Sequence, residues 1–299
     1  MTPEPNTRES EPTGVVPFGT HALRGWQNAL AAISHRKNRR PPGVARTLLN
    51  LRRSLAKRLL RLSGARPPYD VEPWPGMKLR LDPRDNTTDR HVLSRDRVWS
   101  DEDAAAIERA ATEAPDGRLH YVDVGANTGI YAAYVAQEAR RAGAELSAIC
   151  IEPQPVAVSR LKDNLAFSGI GPDAVRPVAV GPEGTLTLDV SVSKNMGKAH
   201  ARATDADGPV LKVPSRPLAS LVAEADWPRV DLMKLDIEGL EPDVLEAFFA
   251  DAPEASWPGT ILTEIVHDKA GRLATLLPDH GYRRVHADAT DAVYVRQSA

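Results

Sequence analysis

The feature that most constrains this 299-residue chain is a largely apolar run, Leu119–Val124 (LHYVDV), that leads straight into a glycine turn, Gly125–Gly129, and then into a helical stretch, Ile130–Arg141. So short a run, bounded by glycine, suits a strand buried on both faces. The alternation continues. Leu146–Ile151 reads as a second buried strand, followed by a helix over Pro155–Phe167, and Val175–Val180 reads as a third. Val230–Leu235 is the fourth parallel strand, with a helix at Pro242–Phe249, and Ile261–Val266 is the fifth, with a helix from Ala270 to Leu277. Val285–Ala287 and Ala292–Arg296 supply two short terminal strands, and the alternating Thr185–Val192 an added antiparallel one. The pattern predicts an α/β fold: a doubly wound, mainly parallel sheet with helices on both faces and its ligand edge at the carboxyl ends of the strands.

The turn Asp123-Val-Gly-Ala-Asn-Thr-Gly129 carries most of the chemistry. Gly125 permits a tight turn and a close backbone approach to a ligand, and Gly129 lets the helix pack near its strand. Amides at the helix start would face a polar ligand. The spacing G-x-N-x-G does not match the G-x-G-x-x-G of a pyrophosphate site, and Asp123 would repel a pyrophosphate. A carboxylate here suits a cation, and S-adenosylmethionine (SAM) carries a sulfonium and an ammonium. Glu152, 29 positions on and followed by Pro153, can accept both ribose hydroxyls of a nucleoside.

With these residues on the page, YVDVGANTG, IEP with Asn164 downstream, AVGPEGTLTL and KLDIEGLEPDVL resemble the FkbM family of SAM-dependent methyltransferases, from about Met77 to Tyr294. The resemblance implies a class I methyltransferase (Rossmann-like) sheet of seven strands with the last antiparallel, SAM as cofactor, and O-methylation of sugar or polyketide-like hydroxyls. Residues 69–299 then form the methyltransferase domain. Asp123, Gly125, Ala126, Asn127, Gly129, Glu152, Pro153 and Asp236 are the expected cofactor residues. Two departures, Ala219 where the family commonly has Asp and Ala247 where it often has Gly, bear on the acceptor rather than on the cofactor.

Methyl transfer to a hydroxyl needs alignment and a base. Asp236 and Glu238, at the tip of the fourth strand, and His267, beyond the fifth, are the expected catalytic residues; Glu264 is a further candidate base. Glu241 reads as a helix-capping acid. Asp236, Glu264, His267 and Asp268 are conceivable ligands of a divalent metal, but no tight ligand spacing supports one, and none is expected. Residues 193–208 read as a polar loop fit to act as a lid, and Asn86–Asp89 as a contributor to the acceptor pocket. A non-catalytic SAM-binding scaffold and a nicotinamide-dependent oxidoreductase are the rival readings.

Charge divides the chain. The formal net charge of −2 excludes a uniformly basic nucleic-acid binder, yet residues 12–69 hold 12 Lys or Arg and no Asp or Glu. Residues 1–68 read as an N-terminal extension: a disordered start over 1–20, then a basic amphipathic helix over 44–63. Val44, Leu48, Leu51, Leu55, Leu59 and Leu62 form one stripe, which would dock on the acidic body or make a peripheral membrane or partner contact. A lone cysteine, Cys150, excludes an internal disulfide, and no apolar run is long enough to span a bilayer. With no secretory signal at its start, the chain is expected in the cytoplasm, acting on a small molecule or glycan.

Overall fold

The computed structural model describes residues 16–35, 44–94, 99–189, 200–201 and 210–297. Helices α1 (Gly25–His35) and α2 (Val44–Leu62) form a hairpin ahead of a two-stranded antiparallel ribbon, β1 (Tyr69–Trp74) and β2 (Met77–Leu81). Helices α3 (Thr87–Ser94) and α4 (Asp101–Thr112) lead into β3 (Arg118–Val124), α5 (Ile130–Ala142), β4 (Glu145–Ile151), α6 (Pro155–Phe167) and the two-residue β5 (Val175–Arg176). Then come β6 (Ala179–Val180), β7 (Gly184–Asp189), β8 (His200–Ala201), β9 (Val210–Arg216) and α7 (Leu218–Ala223). The chain closes with β10 (Leu232–Leu235), α8 (Glu241–Asp251), β11 (Thr260–Glu264), α9 (Leu273–Asp279), β12 (Tyr282–Ala287) and β13 (Asp291–Arg296).

Seven strands make the main sheet in the order β12-β13-β11-β10-β3-β4-β5, and only β13 runs antiparallel to its neighbours. The strand order reverses between β3 and β10, so their carboxyl ends open the crevice where a doubly wound sheet binds its ligand. Alternate residues of β3 serve opposite faces. Val122 and Val124 join the core under α7 to α9, whereas Leu119 and Tyr121 join the core under α4 to α6. Local chemistry sets the helix ends: Ser100 caps α4 by accepting from the Asp103 amide at 3.0 Å, Pro155 and Pro242 occupy first-turn positions, and Gly143 ends α5 at φ 74.

Several expectations need correction. Val175–Val180 is two strands, because β6 leaves the main sheet to pair with β9. The alternating segment from Thr185 is antiparallel, but it pairs with β9 and β8 in a separate four-stranded sheet. That sheet forms because β9, hidden behind a long polar stretch, supplies its central strand. Residues 16–20 are ordered: the amides of Gly19 and His21 donate to Asp70 Oδ2 at 2.8 and 3.0 Å, and Phe18 packs edge-on against Phe167. Four leucines of the α2 stripe, Leu51, Leu55, Leu59 and Leu62, stay exposed and do not dock. The helix turns Ala56 and Leu60 inward, and Leu60 joins a cluster with Ala31 and the ribbon. The proposed lid lies outside the described residues except for β8.

A buried side chain on α6 helps tie the ribbon to the sheet, alongside the Arg80–Asp163 ion pair at 2.9 Å. Asn164, fully buried on α6, accepts from the Arg80 amide at 2.6 Å and donates to the Thr128 carbonyl at 2.7 Å. Asn164→Ala leaves both backbone groups buried without a partner, so a loss of about 2–4 kcal/mol is expected in urea unfolding. A loss below about 1 kcal/mol would show that the brace is dispensable.

Candidate functional site

The glycine turn is built for contact between backbones. Gly125 has φ 80, and a Cβ there would lie 2.1 Å from the Asp236 carbonyl oxygen. Its close approach is therefore to the tip of β10. At Gly129 a Cβ would lie 2.6 Å from Leu161 Cδ1, so that glycine serves the packing of α6. Asn127 holds φ 51, a left-handed conformation that asparagine tolerates. The turn's amides are used internally: Gly125 and Ala126 donate to the Ile151 carbonyl, both at 3.0 Å, Gly129 to the Ala126 carbonyl at 2.8 Å, and Asn127 to Glu152 Oε2 at 2.9 Å. The turn thus offers carboxylates, not these amides, to a ligand.

An open cleft of about 710 Å³ lies at the switch point. Gly125, Asn127, Glu152, Pro153, Asp236 and Glu238 line it, and Val178–Val180, Leu186 and Leu188 form an apolar wall. Of the expected cofactor residues, Asp123, Ala126 and Gly129 are not on the lining. Asp123 is fully buried, directly opposite Lys234 in the β3–β10 register, and neither of its oxygens has a hydrogen-bond partner. Burial raises it to about 6, against the pull of Lys234. Burial likewise raises Glu152 to about 7, although the amides of Gln154 and Asn127 bind its carboxylate.

Lys234 is the residue that motif reading missed. Its ammonium is 3.3 Å from Asp236 Oδ2 and 4.7 Å from the centre of the Tyr131 ring, whose hydroxyl donates to Asp103 Oδ2 at 3.2 Å. Asp123, Asp236 and Asp291 all hold its charge in place, and it acts on Asp103 in turn. Four carboxylates around one ammonium leave negative charge to spare. The signal was a lysine in the middle of a buried strand, where a charge persists only if paired.

The third group lies beyond β10. Glu241, almost fully buried, accepts from the amides of Ile237 at 2.7 Å and Gly239 at 2.9 Å, and so fixes the loop. Gly239 makes room for His267, whose Cβ would be 3.0 Å from a Cβ at that position. His267 Nε2 is 3.0 Å from Glu238 Oε2 and 4.0 Å from Glu264 Oε2. One ligand atom from each of Glu238, Glu264 and His267 lies within 4.8 Å of the others. Burial, with the carboxylates of Asp236, Glu238, Glu241 and Asp291, raises Glu264 to about 8. Asp268 is not in this group; it caps α9 by accepting from the amides of Arg272 and Leu273. Asn86 and Asp89 brace the turn from behind, the first donating to Asn127 Oδ1 at 2.8 Å and the second accepting from Thr128 Oγ1 at 2.9 Å.

Residues 123–284, more than half of the chain, match the family model of the methyltransferase FkbM domain. The chain belongs to the FkbM methyltransferase family. It is a methyltransferase. An FkbM methyltransferase from Methylobacillus flagellatus KT is 18% identical, over 70% of this chain and 52% of that one, with a TM-score of 0.40. The O-methyltransferase TomG of Streptomyces achromogenes, involved in tomaymycin synthesis and solved with SAM, is 12% identical over 77% and 92%, with a TM-score of 0.41. An O-methyltransferase from Bacillus cereus, solved with S-adenosylhomocysteine, is 11% identical over 66% and 82%, with a TM-score of 0.38. No curated protein sequence matches the chain.

The FkbM site fits a cationic nucleoside: an orphaned buried carboxylate lies beneath a cleft that a second carboxylate borders. Its acids have a measurable consequence. Asp89, Asp123, Glu152 and Glu264 move from ordinary values of 3.8 or 4.5 to about 7, 6, 7 and 8 on folding. The folded state therefore holds more protons than the unfolded chain from about pH 4 to 8, and stability falls as pH rises through that window. The cofactor-free protein should melt higher at pH 6 than at pH 8, and saturating SAM should raise the melting temperature more at pH 8. A flat profile without SAM would contradict the burial of these ionisable groups.

Proposed function

We propose that the protein is an O-methyltransferase that methylates a hydroxyl of a small molecule or glycan, with residues 69–299 as the catalytic unit and 1–68 as an extension. Gly125, Asn127, Glu152, Pro153 and Asp236 line the cleft that would hold the cofactor, while Asp123, Ala126 and Gly129, off that lining, support it from within the strand and turn. Glu152 would take the ribose hydroxyls, while Asp123 and Asp236 would supply the negative field for its cationic end. SAM supplies a methyl group already activated by a sulfonium sulfur. What remains for the chain is to hold the acceptor in line and take its proton.

The observation that carries this reading is the His267–Glu238 contact, with Glu238 itself on the cleft lining. His267 is the general base. The carboxylate beside Nε2 would orient the ring to receive the hydroxyl proton. Asp236 has an exposed carboxylate on the same lining, where it can accept from the incoming hydroxyl. His267 stands behind Glu238, which lines the cleft, and a hydroxyl must lose its proton to become an ether.

The cofactor assignment is tested by isothermal titration. Asp123→Asn and Glu152→Gln should each weaken SAM binding by about tenfold or more, the first by removing negative charge buried off the cleft lining and the second by removing a charge-assisted contact on that lining. Unchanged affinity in both variants would refute it.

The base is tested by turnover on a panel of glycosides and polyketides. His267→Gln should lower kcat by about 10²–10⁴-fold with SAM affinity little changed. A second reading rests on the Glu238, Glu264 and His267 donor set, which could hold a divalent ion that acidifies a bound hydroxyl. Full activity after EDTA treatment supports the base. Loss of activity that Mg²⁺ or Mn²⁺ restores supports the ion.

A further inference from the structure

Helix α2 faces outward with the side it ought to hide. Leu51, Leu55, Leu59 and Leu62 are 65%, 55%, 43% and 83% exposed, and Trp26 on α1 adds a ring that is 53% exposed. At 3.6 residues per turn the four leucines fall within an arc of roughly 80°, with Arg52 on one flank and Arg58 and Arg61 on the other. Ala56 and Leu60, which dock the helix, are turned roughly 100–140° away. Trp26, Leu30, Leu59 and Leu62 border a shallow apolar groove that continues the stripe onto α1.

Beside this patch is a basic cleft of about 1310 Å³, bordered by Lys57, Arg61, Arg66, Arg84 and Arg90. Arg84 pairs with Asp82, and Arg90 bonds to Thr87. Lys57, Arg61 and Arg66 have no ion pair among the described residues. The sequence from 12 to 69 contributes no acid to oppose them, and the rest of the chain carries 26 basic against 40 acidic residues.

We propose that the α1–α2 hairpin is a peripheral docking surface for a bilayer containing anionic phospholipid, with the leucines and Trp26 entering the acyl boundary and the basic cleft seating a phosphate headgroup. Charge decides among occupants. A second copy docked face to face would set arginines against arginines. An anionic bilayer offers an apolar layer beneath a plane of phosphates, in the order in which the helix presents leucines between flanking cations. The acidic remainder is repelled by the same surface, so the molecule lands with α2 down. None of the described helices is long and apolar enough to cross a membrane, so the contact lies on the bilayer. The inference is independent of the acceptor chemistry proposed above.

The test is co-sedimentation of the full chain with vesicles of phosphatidylcholine alone or mixed with phosphatidylglycerol, at low and high salt. The wild-type protein should partition onto the anionic vesicles at least about tenfold better than onto the neutral ones, and lose most of that preference in high salt. Leu51→Ser/Leu55→Ser/Leu59→Ser and Arg58→Glu/Arg61→Glu should each reduce partition about tenfold or more while SAM affinity, which reports folding, stays unchanged. Equal binding to both vesicle types, or none, overturns the proposal. So does a dimer in light scattering that the leucine variant splits, which would make a second copy the occupant. Inorganic phosphate bound in the basic cleft by Lys57 and Arg61 without vesicle binding would mark a soluble phosphate site and overturn it as well.

Discussion

The burial of several carboxylates around a single ammonium is the constraint on which this site depends. Asp123 and Lys234 face each other across the two central strands, where neither can reach bulk water. A buried charge is tolerable only when paired, and Lys234 is shared among Asp103, Asp123, Asp236 and Asp291. The pairing is enough to keep the lysine charged, but not enough to keep every acid comfortably ionised, so Asp123 rises to about 6. The protein alone is electrostatically unfinished at this point. A ligand that brings positive charge completes it, which gives the cofactor's charge a structural as well as a chemical reason.

That electrostatic centre requires a rigid frame, because four like charges would otherwise spread apart. The frame is backbone. Gly125 meets the carbonyl of Asp236 at a distance no side chain would allow, locking the tip of β3 to the tip of β10. Glu152 ties β4 to the turn through the Asn127 amide, and Asn86, Asp89 and Asn164 brace the turn from the ribbon side. The same rigidity extends to Glu238 and His267, the pair proposed to take the acceptor's proton. Glu241 spends both carboxylate oxygens on loop amides, so Glu238 and His267 meet at a fixed distance from the cofactor cleft.

The central strands were legible because each is an apolar run stopped by glycine, proline or an acid, and their order could be placed once DVGANTG and LDIEGLE were seen. Helices 87–94 and 101–112 and the β1–β2 ribbon escaped notice, since short amphipathic segments carry little periodicity. The separate sheet was missed because its β9 partner follows a polar stretch and includes Pro214, which reads as a strand breaker. At the site, the acids were visible but their surroundings were not. Glu152 and Asp236 reach the cleft lining, whereas Asp123 lies beneath it, a distinction set by strand register that no motif encodes. Glu238, Glu264 and His267 converge although 26 positions separate the first two, because Gly239 admits the imidazole.

The leucine stripe of α2 shows the same limit from the opposite side. Periodicity correctly marks an amphipathic helix, but it cannot say which surface the apolar face meets. The ribbon beneath α2 has only two strands, and Ala31, Met77, Leu79 and Leu81 already fill its buried face. Leu60 is the buried residue of α2 in that cluster. The exposed stripe is therefore a consequence of a small docking platform meeting a helix with more apolar surface than the platform can cover. Such a helix in a segment devoid of acids repels a like-charged copy of itself, and its apolar face suits a surface of the opposite sign.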